Sequence, residues 1–275
     1  MNLFLLVGIV IGVAALGVLL MHQVRGRARV DHFYEEIERG AGIFSFLGTA
    51  FAVLLAFVVL EAFQNFNDAR SSAEEEATNV VELSRYAAYF TADDRNRLVG
   101  DLICYGRAVA NIEWKLMETG QRSPVVQAWV ERFEKAIRQV QPSGDAQSQA
   151  FLRLLEQDAT RTGARRERLT EASRPLPGPV WFILLLGAVL TIGIALLFAD
   201  RREVFLVQAS LMAAVCALVT SGLLLVWFLD HPYGFNPGNI RPTEMIRLMP
   251  IVEHENPNVT PPCNAAGEPT RAPVT

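Results

Sequence analysis

Long apolar blocks alternate with long charged ones along the chain. Residues 2–21 form the first apolar block, and residues 41–60 the second, with no charge among its twenty positions. An α-helix needs about 20 such residues to cross a hydrocarbon core of roughly 30 Å. The second block runs past Glu61 into polar, helix-forming sequence with no Gly or Pro to stop it, which predicts one helix that serves as both span and stalk. Two further blocks, residues 180–199 and 204–229, complete four predicted spans, the last long enough to tilt. Pro177 and Pro179 suit the first turn of the third span, and Trp181 stands where interfacial tryptophans collect.

Between the second and third spans the period is helical throughout. Residues 67–88 continue from the span, and a second helix opens at Thr91, with Asp94 three positions on as a variant capping box. Leu98, Leu102, Tyr105, Val109, Ile112 and Leu116 then make an apolar stripe at alternating steps of four and three, which predicts a bundle seam. Gly120 ends that helix. Ser123-Pro124 reads as an N-cap with proline at the first helical position, followed by Val126, Val130, Phe133, Ile137 and Val140 on one face. After Pro142 and Gly144 a fourth helix carries Phe151, Leu154 and Leu155 and reaches the run Arg165-Arg166-Glu167-Arg168. The expected fold is all-α, with four transmembrane helices and a helical-bundle extramembrane domain inserted between the second and third spans. Its parts are residues 1–63 (two spans), 64–174 (bundle), 175–229 (two spans) and 230–275 (tail). The Pro-, Asn- and Glu-rich sequence beyond Met249 predicts disorder.

Within the spans, Gly8, Gly12 and Ala15, and likewise Ser210, Ala214, Ala217 and Ser221, form small-residue faces of the kind that let helices approach closely. The second span places Phe46, Thr49, Val53 and Phe57 on one face, with Glu61 a turn further. Those positions have two readings: ordinary packing between spans, or a pore-lining face in an oligomer, narrowed by phenylalanines into a hydrophobic constriction. The first block has no charge before it and Arg25, Arg27 and Arg29 after it, the opposite of a secretory signal, and reads as a retained span. His32, Phe33 and Tyr34, in the connection between the first two spans, are expected near the membrane surface.

Charge and chemistry narrow the functional classes. A net charge of -4 with no basic patch argues against nucleic acid as a partner. The three cysteines (Cys104, Cys216, Cys263) and four histidines are scattered, without the spacing of a disulfide framework or a metal site, so no metal and no cofactor is expected. No phosphate-binding glycine loop, nucleophile elbow or histidine pair is present, which argues against an enzyme. The spans hold no Asp, Glu, Lys or Arg near their centres, so a proton relay lacks its parts. Glu74, Glu75 and Glu76 read as a solvated helix face.

Four spans put both termini and the bundle on one side of the membrane. The short loops on the other side hold Arg25, Arg27, Arg29, Arg39, Arg201 and Arg202, which by the positive-inside rule makes those loops cytoplasmic. Arg165, Arg166, Arg168 and Arg174, with Arg241 and Arg247 after the last span, weigh the other way. The two counts leave the sidedness open.

Several local features occur in an order that resembles the bestrophin-like membrane proteins of bacteria and plants, a family of undefined biochemical role. Phe57-Val58-Val59 leads to Phe66-Asn67-Asp68-Ala69, then Glu76-Ala77; Tyr105 precedes Glu113-Trp114; Arg165-Arg166-Glu167-Arg168-Leu169 leads to Leu176-Pro177 and Trp181; Leu229-Asp230-His231-Pro232-Tyr233-Gly234 closes the last span. His231, Tyr233 and Lys115 depart from the family pattern, where Arg, Phe and Pro are expected. The resemblance implies distant kinship to bestrophins, pentameric anion channels whose second span carries neck-lining phenylalanines. It therefore implies a homo-oligomer in the cell membrane, in contact with lipid and passing small inorganic anions, with Phe46 foremost at the neck. Bestrophins keep their large domain in the cytoplasm, and the calcium site of some members has no counterpart in this chain. For Glu113, Trp114, Arg165, Arg168, Asp230, Pro232 and Gly234 structural roles are expected: Trp114 in packing with Glu113 as its solvated neighbour, Glu113 paired with Arg165 or Arg168 if it is buried at a subunit contact, and Asp230 capping the turn through Pro232 to Gly234. The alternative function is a non-conducting sensor or scaffold whose bundle binds a ligand or partner.

Overall fold

A computed structural model describes residues 3–27, 37–173, 176–199, 203–234 and 237–270. His32, Phe33, Tyr34, Arg29, Arg174, Arg201 and Arg202 lie outside the described residues. The fold is all-α, and the chain divides into two compact units. The first takes residues 1–65, 176–230 and 235–238; the second takes residues 66–175, 231–234 and 239–275.

The first unit contains α1 (Leu3–Arg27), the beginning of α2 (Ile37–Ala87), α7 (Gly178–Leu197) and α8 (Phe205–Leu229). All four helices are long and apolar enough to cross a membrane, yet only 6% to 28% of the most apolar stretch of each is buried inside the chain. In water such exposed apolar faces would drive association. In lipid they are the normal state, and close packing rather than the hydrophobic effect holds the helices together. Gly17 of α1 lies against Cys216 and Met212 of α8, where a methyl group would stand 2.5 Å from the Cys216 sulfur. Gly187 of α7 receives the Phe51 ring, and Gly222 of α8 receives Leu55. The approach expected at Gly8 and Gly12 is not made among the described residues: none lies within 4 Å of a Cβ added at either. Ser210, Ala214 and Ser221 of α8 are likewise exposed, because α8 buries Gln208, Met212, Cys216 and Val219 instead.

α2 is one helix of 51 residues, unbroken from the apolar stretch into the polar one, and its later part belongs to the second unit. There it joins α3 (Ala92–Ala108), α4 (Trp114–Met117), α5 (Pro124–Gln139), α6 (Gly144–Ser173) and α9 (Thr243–Glu255). Local chemistry sets the starts. The Thr91 hydroxyl accepts from the Asp94 N–H at 3.2 Å and donates to the Asp94 carboxylate, so Asp94 takes the hydroxyl rather than the backbone N–H of a full capping box. Ser123 caps α5 by accepting from the Val126 N–H at 3.3 Å, with Pro124 in the first turn. Leu98, Leu102, Val109, Val126, Phe133 and Leu154 meet in the core. Leu155 points outward instead, 43% exposed.

Two features depart from the periodicity. Residues Val109–Glu113 form a π-helical turn, which inserts one extra position into the helix. Beyond it the buried line passes through Glu113 and Met117, while Ile112 and Leu116, expected on the seam, are only half-buried. The second is the tail. Among the described residues, to Thr270, the disorder expected beyond Met249 is not found: α9 buries Met245, Met249 and Val252, with Gly106 leaving space for the Met249 side chain. The segment after it is stapled by a Cys104–Cys263 disulfide, a pairing that scattered cysteines did not predict. Gly267, at φ +89, lies so close to the Ala108 backbone that no side chain would fit, and its carbonyl accepts from the Trp129 indole at 2.8 Å.

Candidate functional site

In the first unit the α2 face that meets α7 and α8 is built from Phe51, Leu54, Leu55, Val58 and Val59. The opposite face carries Phe46 (73% exposed), Thr49, Val53 and Phe57 (67% exposed), with Glu61 exposed a turn further. Steps of three and four put these residues in one line because the helix repeats about every 3.6 residues. The chain thus brings the four positions together on one face, which no other described residues cover. Asp230, at the C-terminal end of α8, accepts from the Leu176 N–H at 2.6 Å and from the Trp181 indole at 3.3 Å. It fastens the entry to α7.

The second unit holds a buried ion cluster on α2, α3, the π turn and α6. The Arg168 guanidinium, fully buried, is shared by two carboxylates: Nε and Nη2 donate to Glu76, and Nη2 also to Glu113 Oε2 at 2.8 Å. Arg165 Nη2 donates to Glu113 Oε1 at 2.8 Å, and the Tyr105 hydroxyl donates to Glu76 Oε1. Arg161, also fully buried, donates to Asp158 at 2.6 Å and stacks over the Tyr105 ring at 4.7 Å. Three guanidiniums face three carboxylates, so the cluster is neutral. Burial pushes the Glu113 carboxyl up, but the Arg168 and Arg165 guanidiniums outweigh it and hold Glu113 below the usual carboxylate range. For Arg168, burial opposes the charge while Glu76 and Glu113 favour it, and its pKa ends raised. Burial also raises the Tyr105 pKa, so the hydroxyl stays a donor. The cluster joins three stretches of chain through charge-assisted hydrogen bonds and offers no free acid or base.

Trp114 packs on this cluster, with Arg168 5.2 Å over its ring and Tyr233 edge-on at 5.5 Å, and its indole donates to the Ile240 carbonyl. Pro232 supplies a carbonyl that accepts from the Ile240 N–H at 2.9 Å, and the Tyr233 hydroxyl donates to the Ala69 carbonyl. Gly234 stands next in the same segment.

A Bestrophin-like domain model matches residues 8–234. The chain belongs to the Bestrophin-like family. No curated protein sequence matches it. Among solved structures, a bestrophin homologue variant from Klebsiella pneumoniae is similar at TM-score 0.68 and 16% identity, over 89% of this chain and 98% of that one. A second variant of that homologue gives TM-score 0.70 at 15% identity, over 88% and 98%. A crystal structure described as a membrane protein gives 0.73 at 14% identity, over 91% and 100%. At these identities the likeness is one of fold.

In this Bestrophin-like chain the glutamates of the 74–76 run divide: Glu74 and Glu75 are exposed, and Glu76 is buried among Arg168 and Tyr105. Sequence reasoning missed Glu76 and Arg161. The available signal was spacing: Glu76 falls on the line of Ala69, Ser72, Val80 and Leu83, all buried. Among the described residues no group of three or more His, Cys, Asp or Glu is placed to hold a metal.

One carboxylate outside the cluster makes a pH prediction. Asp101 is buried on α3, paired with Arg132 at 2.8 Å, and burial pushes its carboxyl up to about 6 while Arg132 and Arg97 pull the other way. The folded chain therefore holds this proton more tightly than the unfolded chain, where Asp titrates near ~3.9. Its stabilising contribution is full below about pH 4 and lost as pH rises through about 6. Asp101→Asn removes that slope. Relative to the parent, the variant is expected to gain about 2 kcal/mol between pH 4 and pH 7, read from unfolding midpoints in detergent; parallel curves would refute it.

Proposed function

We propose that the chain assembles as a homo-oligomeric ion channel of the cell membrane, passing small inorganic anions, with the Phe46, Thr49, Val53 and Phe57 face of α2 lining a hydrophobic constriction. The observation that carries this reading is the exposure of two phenylalanines, 73% and 67%, on the face turned away from α7 and α8. Membership of the Bestrophin-like family and a fold shared with bestrophin homologues support it. In an oligomer around a central axis, that face meets its symmetry mates, and rings of phenyl groups form a neck that gates by dewetting.

Flux through liposomes containing the purified protein tests the reading, with chloride and potassium gradients in separate runs. Phe46→Ala widens the neck and removes apolar surface where water must enter. It is expected to raise chloride flux by about two- to tenfold, the upper figure corresponding to ~1.4 kcal/mol off the barrier. Unchanged flux in an active protein would remove Phe46 from the constriction.

A second reading, a non-conducting sensor or scaffold, is supported by a groove of ≈ 350 Å³ in the second unit, lined by Phe90, Arg95, Asn256 and Val259 among others. Absence of flux from folded, oligomeric protein of both sequences would favour it.

A further inference from the structure

We infer that the helical unit lies on the oxidising, extracytoplasmic side of its membrane, with the C-terminal segment clasped to it there by the Cys104–Cys263 disulfide. The inference is independent of whether the protein conducts. Its first support is the disulfide itself, which joins α3 to a segment 159 residues later. Disulfides persist in oxidising compartments and are rare in the cytosol, where thiols are kept reduced. Both cysteines are buried, and the segment bearing Cys263 is fitted to its seat: Pro262 rests on Gly100, Gly267 on the Ala108 backbone, and the Trp129 indole donates to the Gly267 carbonyl. The segment also closes on itself, with the Thr270 N–H donating to the Pro262 carbonyl at 3.1 Å and the Gly267 N–H to the Asn264 carbonyl at 3.0 Å. The remaining cysteine, Cys216, lies buried on α8 against α1 and stays free.

The second support is the distribution of arginine. The short connections between spans carry Arg25, Arg27, Arg29 and Arg39 in one, and Arg201 and Arg202 in the other, all close to span ends. Short loops rich in Arg are the ones retained in the cytoplasm, whereas long domains translocate largely regardless of charge. The opposing count rested on Arg165, Arg166, Arg168 and Arg174 at the end of the bundle, with Arg241 and Arg247 after the last span; of these the structure commits Arg165 and Arg168 to Glu113 and Glu76 inside the unit. Connectivity supplies a third check. Cys104 and Cys263 can meet only if an even number of crossings separates them, and α7 and α8 are two helices able to cross. This placement is opposite to the cytoplasmic domain that the bestrophin resemblance implied.

In the oxidation, the two thiols release two protons and two electrons as the S–S bond forms. A disulfide-exchanging oxidant of that compartment accepts the electrons, its own disulfide becoming a dithiol. The test uses the full chain in bacterial cells. Free thiols are blocked under denaturing conditions with N-ethylmaleimide, the protein is reduced, and newly released thiols are tagged with a polyethylene glycol maleimide. Two additions per chain are expected, against none for Cys104→Ser or Cys263→Ser. In parallel, Lys135→Cys, at an exposed position of α5, is treated in intact cells with a maleimide that crosses the outer but not the inner membrane, the native chain serving as background. Labelling of intact cells is expected. Thiols already reduced in the cell, or labelling of Lys135→Cys only after the inner membrane is opened, would overturn the inference.

Discussion

Replacing Arg168 with Ala is expected to destabilise the helical unit by about 3–5 kcal/mol, the usual loss when one member of a buried ion pair is removed. Arg168 is fully buried and is the only guanidinium among the described residues that reaches both Glu76 and Glu113. Without it the Glu76 carboxylate keeps only the Tyr105 hydroxyl among those partners, and Glu113 is left with Arg165 and the Ser123 N–H. Both carboxylates would remain out of water, where an unpaired charge costs far more than a lost hydrogen bond. The chain would relieve this by taking up protons, so the defect is expected to shrink as pH falls toward the carboxylate range. At roughly 2–4 °C per kcal/mol for a chain of this size, the melting midpoint in detergent should drop by about 6–20 °C. A companion variant separates charge from volume. Arg168→Met combined with Glu76→Gln removes one charge of each sign, leaves Glu113 paired with Arg165, and is expected to be less destabilised than Arg168→Ala, since neutral replacements leave no orphan ion. A loss of under about 1 kcal/mol for Arg168→Ala would mean that water reaches the site.

The range of each interaction decides how legible it is in the sequence. Features fixed within one helical turn or one apolar block were legible: the four long apolar stretches, the run of α2 past Glu61, the Ser123-Pro124 start of α5 and the stripe from Val126 to Val140. Hydrophobic period and capping chemistry act locally, so the sequence records them directly. The π turn was not legible, because one inserted position leaves the spacing of Leu98, Leu102, Tyr105 and Val109 intact and shifts only the residues beyond Val109. It turns Glu113 inward in place of Ile112. The pairing of Glu113 with an arginine of the 165–168 run could be named from charge complementarity. The role of Glu76 could not, since a run of three glutamates gives no sign of which one faces inward until helix phase is traced through Ala69 and Val80. The tail was misjudged on composition. Its Pro, Asn and Glu content outweighed the spacing of Met245, Met249 and Val252, an i, i+4, i+7 stripe that should have predicted a packed helix.

Opening the Cys104–Cys263 bond, by reductant or by Cys263→Ser, is expected to cost the helical unit about 2–4 kcal/mol. A bridge between residues 159 apart closes a long loop in the unfolded chain, and chain entropy alone would put its contribution near the top of the usual range, about 5 kcal/mol. Two circumstances lower the figure. The loop contains α7 and α8, which remain helical in lipid when the helical unit unfolds, so the denatured ensemble is already restricted. The native contacts of the clasp also survive without the bond, among them the Trp129 indole on the Gly267 carbonyl and the pairing of Arg107 with Glu253 on α9. The effect should therefore be uneven along the chain. Amides of residues 257–270 should lose protection from hydrogen exchange first, because that segment has no helix of its own and is held by the bond and a few contacts to α3 and α5. Those of α9 should lose less, since Met245, Met249 and Val252 stay buried. Exchange measured on reduced and oxidised protein in the same detergent distinguishes this from a bond that only decorates an already fixed tail: in that case both the melting midpoint and the protection of residues 257–270 would be unchanged by reductant.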